Sequence, residues 1–120
     1  MADGAFSYVQ RNLATVLSEL RAVADRVGKP PPLLVAVTKS ASDGEVLALA
    51  AAGVSAMAEN RVPNFRARAA LLAAAGYSVP LHLIGSLQKN KVKYIAAEAT
   101  LIQSLDSFSL AEEIERQGSR

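Results

Sequence analysis

The run Leu33-Leu34-Val35-Ala36-Val37, followed by Thr38-Lys39, constrains the chain more than any other stretch. Pro30, Pro31 and Pro32 precede it and forbid a helix there, because proline lacks the N–H and disfavours helical backbone in the residue before it. The run is continuously apolar where a half-buried strand would alternate. That predicts a strand buried on both faces, as in a parallel sheet covered by helices. It ends on an amine, Lys39. Parallel strands need a crossover between them, so the rest of the chain must supply helices at regular intervals.

The remaining pattern meets that requirement. Ahead of the run, Val9, Leu13, Val16, Leu17, Leu20, Val23, Ala24 and Val27 recur at spacings of three and four, predicting an amphipathic helix that covers the core and stops at Gly28. After Lys39, Ser42 and Glu45 have the spacing of a capping box. A second helix therefore begins near Asp43, carries Val46, Leu47, Leu49 and Ala50, and ends at Gly53. Val54 to Ala58 predicts a second strand that leads into Glu59-Asn60. Pro63 suits the first turn of a third helix, with Phe65, Ala69, Leu72 and Ala73 on its apolar side, Arg61, Arg66 and Arg68 nearby, and Gly76 at its end. Val79 to Ile84 reads as a third strand, Gly85-Ser86 as a turn, Leu87 to Ala97 as a fourth helix, and Thr100 to Gln103 as a fourth strand. Ser107 or Ser109 caps a last helix carrying Leu110, Ala111 and Ile114. The expected fold is α/β, an α-(βα)4 arrangement with parallel strands and right-handed crossovers, forming one domain over residues 1–120.

Composition narrows the function classes. The chain has 120 residues, 51% hydrophobic and 20% charged, enough apolar surface for a core but well short of the ~250 residues of a complete eight-unit barrel. A net charge of +2 spread along the chain argues against a nucleic-acid surface. With no cysteine and one histidine, a disulfide framework is excluded and a zinc site disfavoured. The N-terminus lacks a signal-peptide pattern and no apolar run approaches the ~20 residues of a membrane span, so a cytoplasmic protein is expected.

In a parallel α/β sheet, chemistry gathers where strands end and helices begin. Here those places hold Lys39, Glu59-Asn60, Gly85-Ser86, Ser104 and Asp106. Each has an ordinary reading beside a functional one. Lys39 is a solvated strand-end lysine, or an amine at an apolar mouth able to form a Schiff base with an aldehyde. Asn60 is a turn residue or a hydrogen-bond donor to a ligand. His82 is a satisfied, partly buried histidine or a site residue sharing a face with Ile84. Gly85-Ser86 is a plain turn or an anion-friendly helix N-terminus. Lys89, Lys91 and Lys93 with Tyr94 form a solvated face or a phosphate-contacting patch.

Taken in order, Val35-Ala36-Val37-Thr38-Lys39, Ala58-Glu59-Asn60, His82 to Lys91 and Gln103-Ser104-Leu105-Asp106-Ser107 closely resemble the pyridoxal phosphate homeostasis proteins, single-domain relatives of the alanine racemase N-terminal barrel. The segment His82-Leu83-Ile84-Gly85-Ser86-Leu87-Gln88-Lys89-Asn90-Lys91 is the most diagnostic. The resemblance implies a TIM-barrel-type (β/α)8 fold of which this chain encodes about the first half. It implies that Lys39 holds pyridoxal 5′-phosphate (PLP) as an internal aldimine, with Asn60, His82, Gly85 and Ser104 around the cofactor. It further implies a binding protein that buffers PLP or delivers it to PLP-dependent apoenzymes, with no nucleic-acid or membrane partner. The alternatives are a racemase-like enzyme fragment, for which no second acid/base group is identified, and a cofactor-free scaffold.

Departures from the family pattern shape further expectations. Ala58 stands where the family usually has glycine, and Pro63 where glutamine is common, so the third helix is expected to start later here. The family's serine/glycine-rich phosphate clamp lies in the half that this sequence does not encode. A truncated product is therefore expected, with a weakened hold on the cofactor phosphate and with exposed sheet edges through which it self-associates.

Overall fold

The computed structural model describes residues 5–103, 105 and 107–118. Helix α1 (Ser7–Val27) precedes four strands, β1 (Val35–Val37), β2 (Ala56–Glu59), β3 (Leu81–Leu83) and β4 (Leu101–Ile102). Helices α2 (Asp43–Ala51) and α3 (Val62–Ala74) and a 3-10 helix (Lys89–Tyr94) connect them, and α4 (Phe108–Gly118) follows. The strands form one parallel sheet in the order β1-β2-β3-β4. This is the expected α-(βα)4 arrangement. The strands are shorter than their apolar runs, but hydrogen bonds from Thr38 N to Ala58 O, Ile84 N to Glu59 O and Gln103 N to Leu83 O carry the ladder past their ends.

Local chemistry sets the helix boundaries. α1, α2 and α3 all close on a glycine with positive φ, Gly28 at 70°, Gly53 at 82° and Gly76 at 82°. At each, the glycine N–H and the N–H after it return to the last turn, as in Lys29 N to Ala24 O, Val54 N to Leu49 O and Tyr77 N to Leu72 O. The left-handed position falls to glycine because a Cβ would clash with its own backbone there. At the start of α2 the Ser42–Glu45 capping box is formed in both directions. Ser107 caps α4, its Oγ accepting from Leu110 N at 3.1 Å. Pro63 lies in the first turn of α3, which starts at Val62 and so is not delayed.

The predicted α-helix from Leu87 to Ala97 is instead the six-residue 3-10 helix followed by turns. Two local features account for the difference. Val92 and Ile95, three apart, are both fully buried, and three residues per turn bring such a pair to one side. An α-helix would also stack Lys89 over Lys93, four apart, an unfavourable like-charge pair.

The core lies on the helix side of the sheet, where Met57, Leu81 and Leu83 meet Val46, Phe65, Leu72, Val92, Ile95 and Leu110. The largest of these are fully buried, each contributing about 1.5–3 kcal/mol of transfer free energy. The opposite face differs from expectation. Val37, Ala58, His82 and Leu101 lie level across it, and Val37 and Leu101, on the edge strands, are 52% and 48% exposed. β1 is therefore not buried on both faces, because an edge strand has a neighbour on one side only. α1 likewise covers less than its pattern predicts, for Val16, Val23 and Val27 stay exposed while Val9, Leu13 and Ala24 are buried.

α1 is tied to the start of α2 through Tyr8, whose hydroxyl donates to Glu45 Oε2 at 2.5 Å while Glu45 Oε1 accepts from Ser42 N. The Tyr8 hydroxyl, and then the Ser42 N–H, hold the Glu45 carboxyl below its usual range. A carboxyl with a depressed folded pKa adds stability above its unfolded value, about 4.3, and that stability is lost as pH falls through the folded value. Tyr8→Phe is expected to shrink the loss of stability on acidification from pH 5 to pH 3, read as the shift in thermal midpoint. An unchanged acid limb would show that the contact does not couple to folding.

Candidate functional site

The C-terminal ends of the strands bring most of the predicted residues to one edge of the sheet. Lys39 follows β1 and is exposed. Thr38 and Ala41 bracket it in a turn closed by Ala41 N donating to Thr38 O at 3.0 Å, so Lys39 occupies the first central position of that turn. Asn60 follows β2 and Gly85 lies two residues beyond β3. The two are in direct backbone contact, since a Cβ on Gly85 would stand 1.9 Å from Asn60 O. His82 in β3 is 5% exposed and its Nδ1 pairs with Gln103 Nε2 at 2.9 Å. Continuing the strand register by two residues sets positions 39, 60, 84 and 103 level with one another. Ser104 and Asp106 lie outside the described residues.

Two of the open alternatives narrow. Gly85-Ser86 does not open an α-helix, because the short 3-10 helix begins four residues after Gly85, so no helix dipole is available there to draw an anion. Glycine at 85 is required by the close approach of Asn60. The basic cluster also has a local account: Arg66, Lys91 and Lys93 stand around the Tyr94 ring at 4.9, 5.8 and 5.2 Å from its centroid, contacts worth ~0.5–1 kcal/mol each at an exposed ring.

Beneath Lys39 lies a polar network that the sequence pattern alone does not assemble. Glu59, fully buried at the end of β2, accepts from Thr38 Oγ1 and from Arg68 Nε, the latter at 3.2 Å. Arg68 Nη1 reaches Asp43 Oδ1 at 2.8 Å, and Nη2 donates to Thr38 O at 3.2 Å and to Ala41 O at 2.6 Å. The second oxygen of Glu59, Oε1, is buried without a hydrogen-bond partner among the described residues. A signal was available: Phe65, Arg68, Ala69 and Leu72 fall at i, i+3, i+4 and i+7, which puts the arginine on the buried stripe of α3. A carboxylate ending the otherwise apolar Ala56-Met57-Ala58 was its natural partner.

Chemically, this edge offers an accessible primary amine on a held turn, the Asn60 amide, and a paired imidazole and carboxamide. Such a set fits the aldehyde and ring of a carbonyl cofactor. Among the described residues it does not supply the converging N–H donors that a phosphate dianion requires, and the Arg68 guanidinium is committed to the network.

No protein-family model matches the chain. Curated relatives do. The pyridoxal phosphate homeostasis protein of Aquifex aeolicus is 31% identical over 107 residues, covering 88% of this chain and 46% of the relative. That of Pseudomonas aeruginosa is 30% identical over 115 residues, covering 92% and 48%. Among solved structures, a protein from Bifidobacterium adolescentis superposes with a TM-score of 0.82 at 29% identity, over 99% of this chain and 53% of that one. PipY of Synechococcus elongatus, solved with PLP bound, gives 0.76 at 30% identity, over 92% and 48%. The chain spans about half the length of the curated relatives it matches. By sequence and by fold the chain is thus similar to about half the length of the pyridoxal phosphate homeostasis proteins, the share that an N-terminal half would match.

Proposed function

We propose that the chain binds PLP and takes part in its homeostasis, with Lys39 as the point of covalent attachment and Asn60, His82, Gly85 and Ser104 around the cofactor. The observation that carries this is the placement of Lys39, an exposed amine on a braced turn at the C-terminal edge of the sheet, in a chain whose fold matches that of a protein solved with PLP bound. PLP supplies an aldehyde. Lys39 would hold it through an amine able to condense with that aldehyde with loss of water, a reversible linkage that would need no oxidant or reductant. Cofactor held this way is kept from other cellular amines yet stays transferable to apoenzymes. Binding is favoured over racemisation because a racemase needs a second acid/base group, and the chain's one imidazole, His82, is buried with its Nδ1 engaged by Gln103.

Borohydride fixation tests the assignment. The chain has five lysines. After incubation with PLP and reduction, peptide mass mapping is expected to place the adduct chiefly on Lys39, and Lys39→Arg is expected to lose it. An adduct spread evenly over Lys29, Lys39, Lys89, Lys91 and Lys93 would overturn the reading. The open edges, β1 and β4, with an apolar groove of about 380 Å³ beside β4 lined by Ala96, Leu101, Ile102, Leu105 and Ile114, support self-association as part of the same proposal. Sedimentation of the protein with and without PLP tests it, and a monomer at all concentrations would refute it.

No helix among the described residues is long and apolar enough to cross a membrane.

A further inference from the structure

We propose that Arg68 is a positioning residue for Lys39, an inference that rests on Lys39 being the attachment point. The turn that carries Lys39 is gripped at both ends by one nitrogen, Arg68 Nη2, which donates to Thr38 O and to Ala41 O. The same guanidinium is itself fixed by Glu59 at the end of β2 and by Asp43 in the first turn of α2. Four acceptors, two from the turn after β1, one from β2 and one from α2, thus converge on one side chain of α3. A guanidinium suits this task because its N–H groups leave a rigid plane in separate directions, whereas an ammonium presents a single rotating point charge.

The arrangement also explains why a charged side chain occupies the buried stripe of α3. An apolar residue at 68 would pack there but leave the carbonyls of Thr38 and Ala41 without this donor. With both ends of a four-residue turn held, the backbone of Lys39 is fixed and only its side chain retains freedom. Orientation of a reacting group is worth large factors in rate, and a displacement of about 1 Å can cost on the order of a hundredfold.

The test compares wild type with Arg68→Lys, Arg68→Met and the double variant Glu59→Leu/Arg68→Met, each at a temperature where circular dichroism shows it folded. The readout is the rate of PLP attachment at Lys39 relative to the other four lysines, which serve as internal references, measured across pH 6 to 9. In Arg68→Met the relative rate at Lys39 is expected to fall roughly tenfold or more while the reference lysines are unchanged, and Arg68→Lys is expected to recover part of the loss. Amide exchange at Ala41, read without cofactor, should accelerate in parallel. The double variant removes the buried charges together, so it separates folding from positioning. If it is folded and still modifies Lys39 at the wild-type relative rate and pH profile, Arg68 is only structural and the proposal fails. If wild type shows no preference for Lys39, the attachment reading fails instead, and the two failures are distinguishable.

Discussion

Gly85→Ala is expected to destabilise the fold by about 3 kcal/mol, the upper end of what overpacking usually costs, read as a lowered midpoint in urea unfolding at unchanged slope. The Cβ it introduces would stand 1.9 Å from Asn60 O, 2.6 Å from Asn60 C and 2.8 Å from Asn60 Cα. All three atoms are backbone, so no rotamer change relieves the overlap. One residue earlier, Ile84 N donates to Glu59 O at 3.0 Å, which ties β2 to β3 at the point where they would have to separate. Relief therefore means moving Asn60 or giving up a ladder bond, and either disturbs two candidate site residues together. Gly28→Ala is the natural control. Gly28 has φ of 70° and nothing lies within 4 Å of the position its Cβ would take, so the cost there is left-handed backbone strain alone, about 1–2 kcal/mol. A Gly85→Ala protein no less stable than Gly28→Ala would mean that the β2–β3 junction yields easily.

What could be read from the sequence divides along a physical line. Features determined by neighbours in the chain were legible: the glycine stops at Gly28, Gly53 and Gly76, the Ser42–Glu45 capping box, the Ser107 cap, and the placement of Lys39 just past an apolar strand. Their causes are backbone conformation and short-range hydrogen bonding, which residue type and spacing encode directly. Features determined across the sheet were not. Gly85 reads as an ordinary turn residue until strand register sets it against Asn60. Spacing sets Arg68 on the buried stripe of α3, but its partners are not legible until Glu59, nine residues away on β2, and the turn after β1 meet it. The continuous apolar run in β1 implied burial on both faces, and the exposure of Val37 follows from an edge position that local pattern does not record.

Arg68→Met is expected to cost about 3–5 kcal/mol, because removing one member of a buried ion pair strands the other without compensation. The stranded group is Glu59, whose side chain is fully buried and whose Oε1 already lacks a partner among the described residues. Only the Thr38 hydroxyl would remain to it. Glu59→Leu/Arg68→Met is expected to recover most of that loss and to lie within about 1–2 kcal/mol of wild type, since two apolar side chains of similar volume avoid the desolvation of both charges. Thr38 Oγ1 keeps a second acceptor, Ala58 O, and Asp43, 76% exposed, returns to solvent at little cost. Urea unfolding of the two single variants and the double variant gives the coupling energy directly. A double variant as unstable as the sum of its singles would contradict the argument, because it would mean that Arg68 stabilises the fold mainly through the carbonyls of Thr38 and Ala41. A large coupling places the cost of the network in Glu59, and a protein that bears this cost beneath Lys39 when an apolar pair would fold as well holds the arginine there for its grip on the turn.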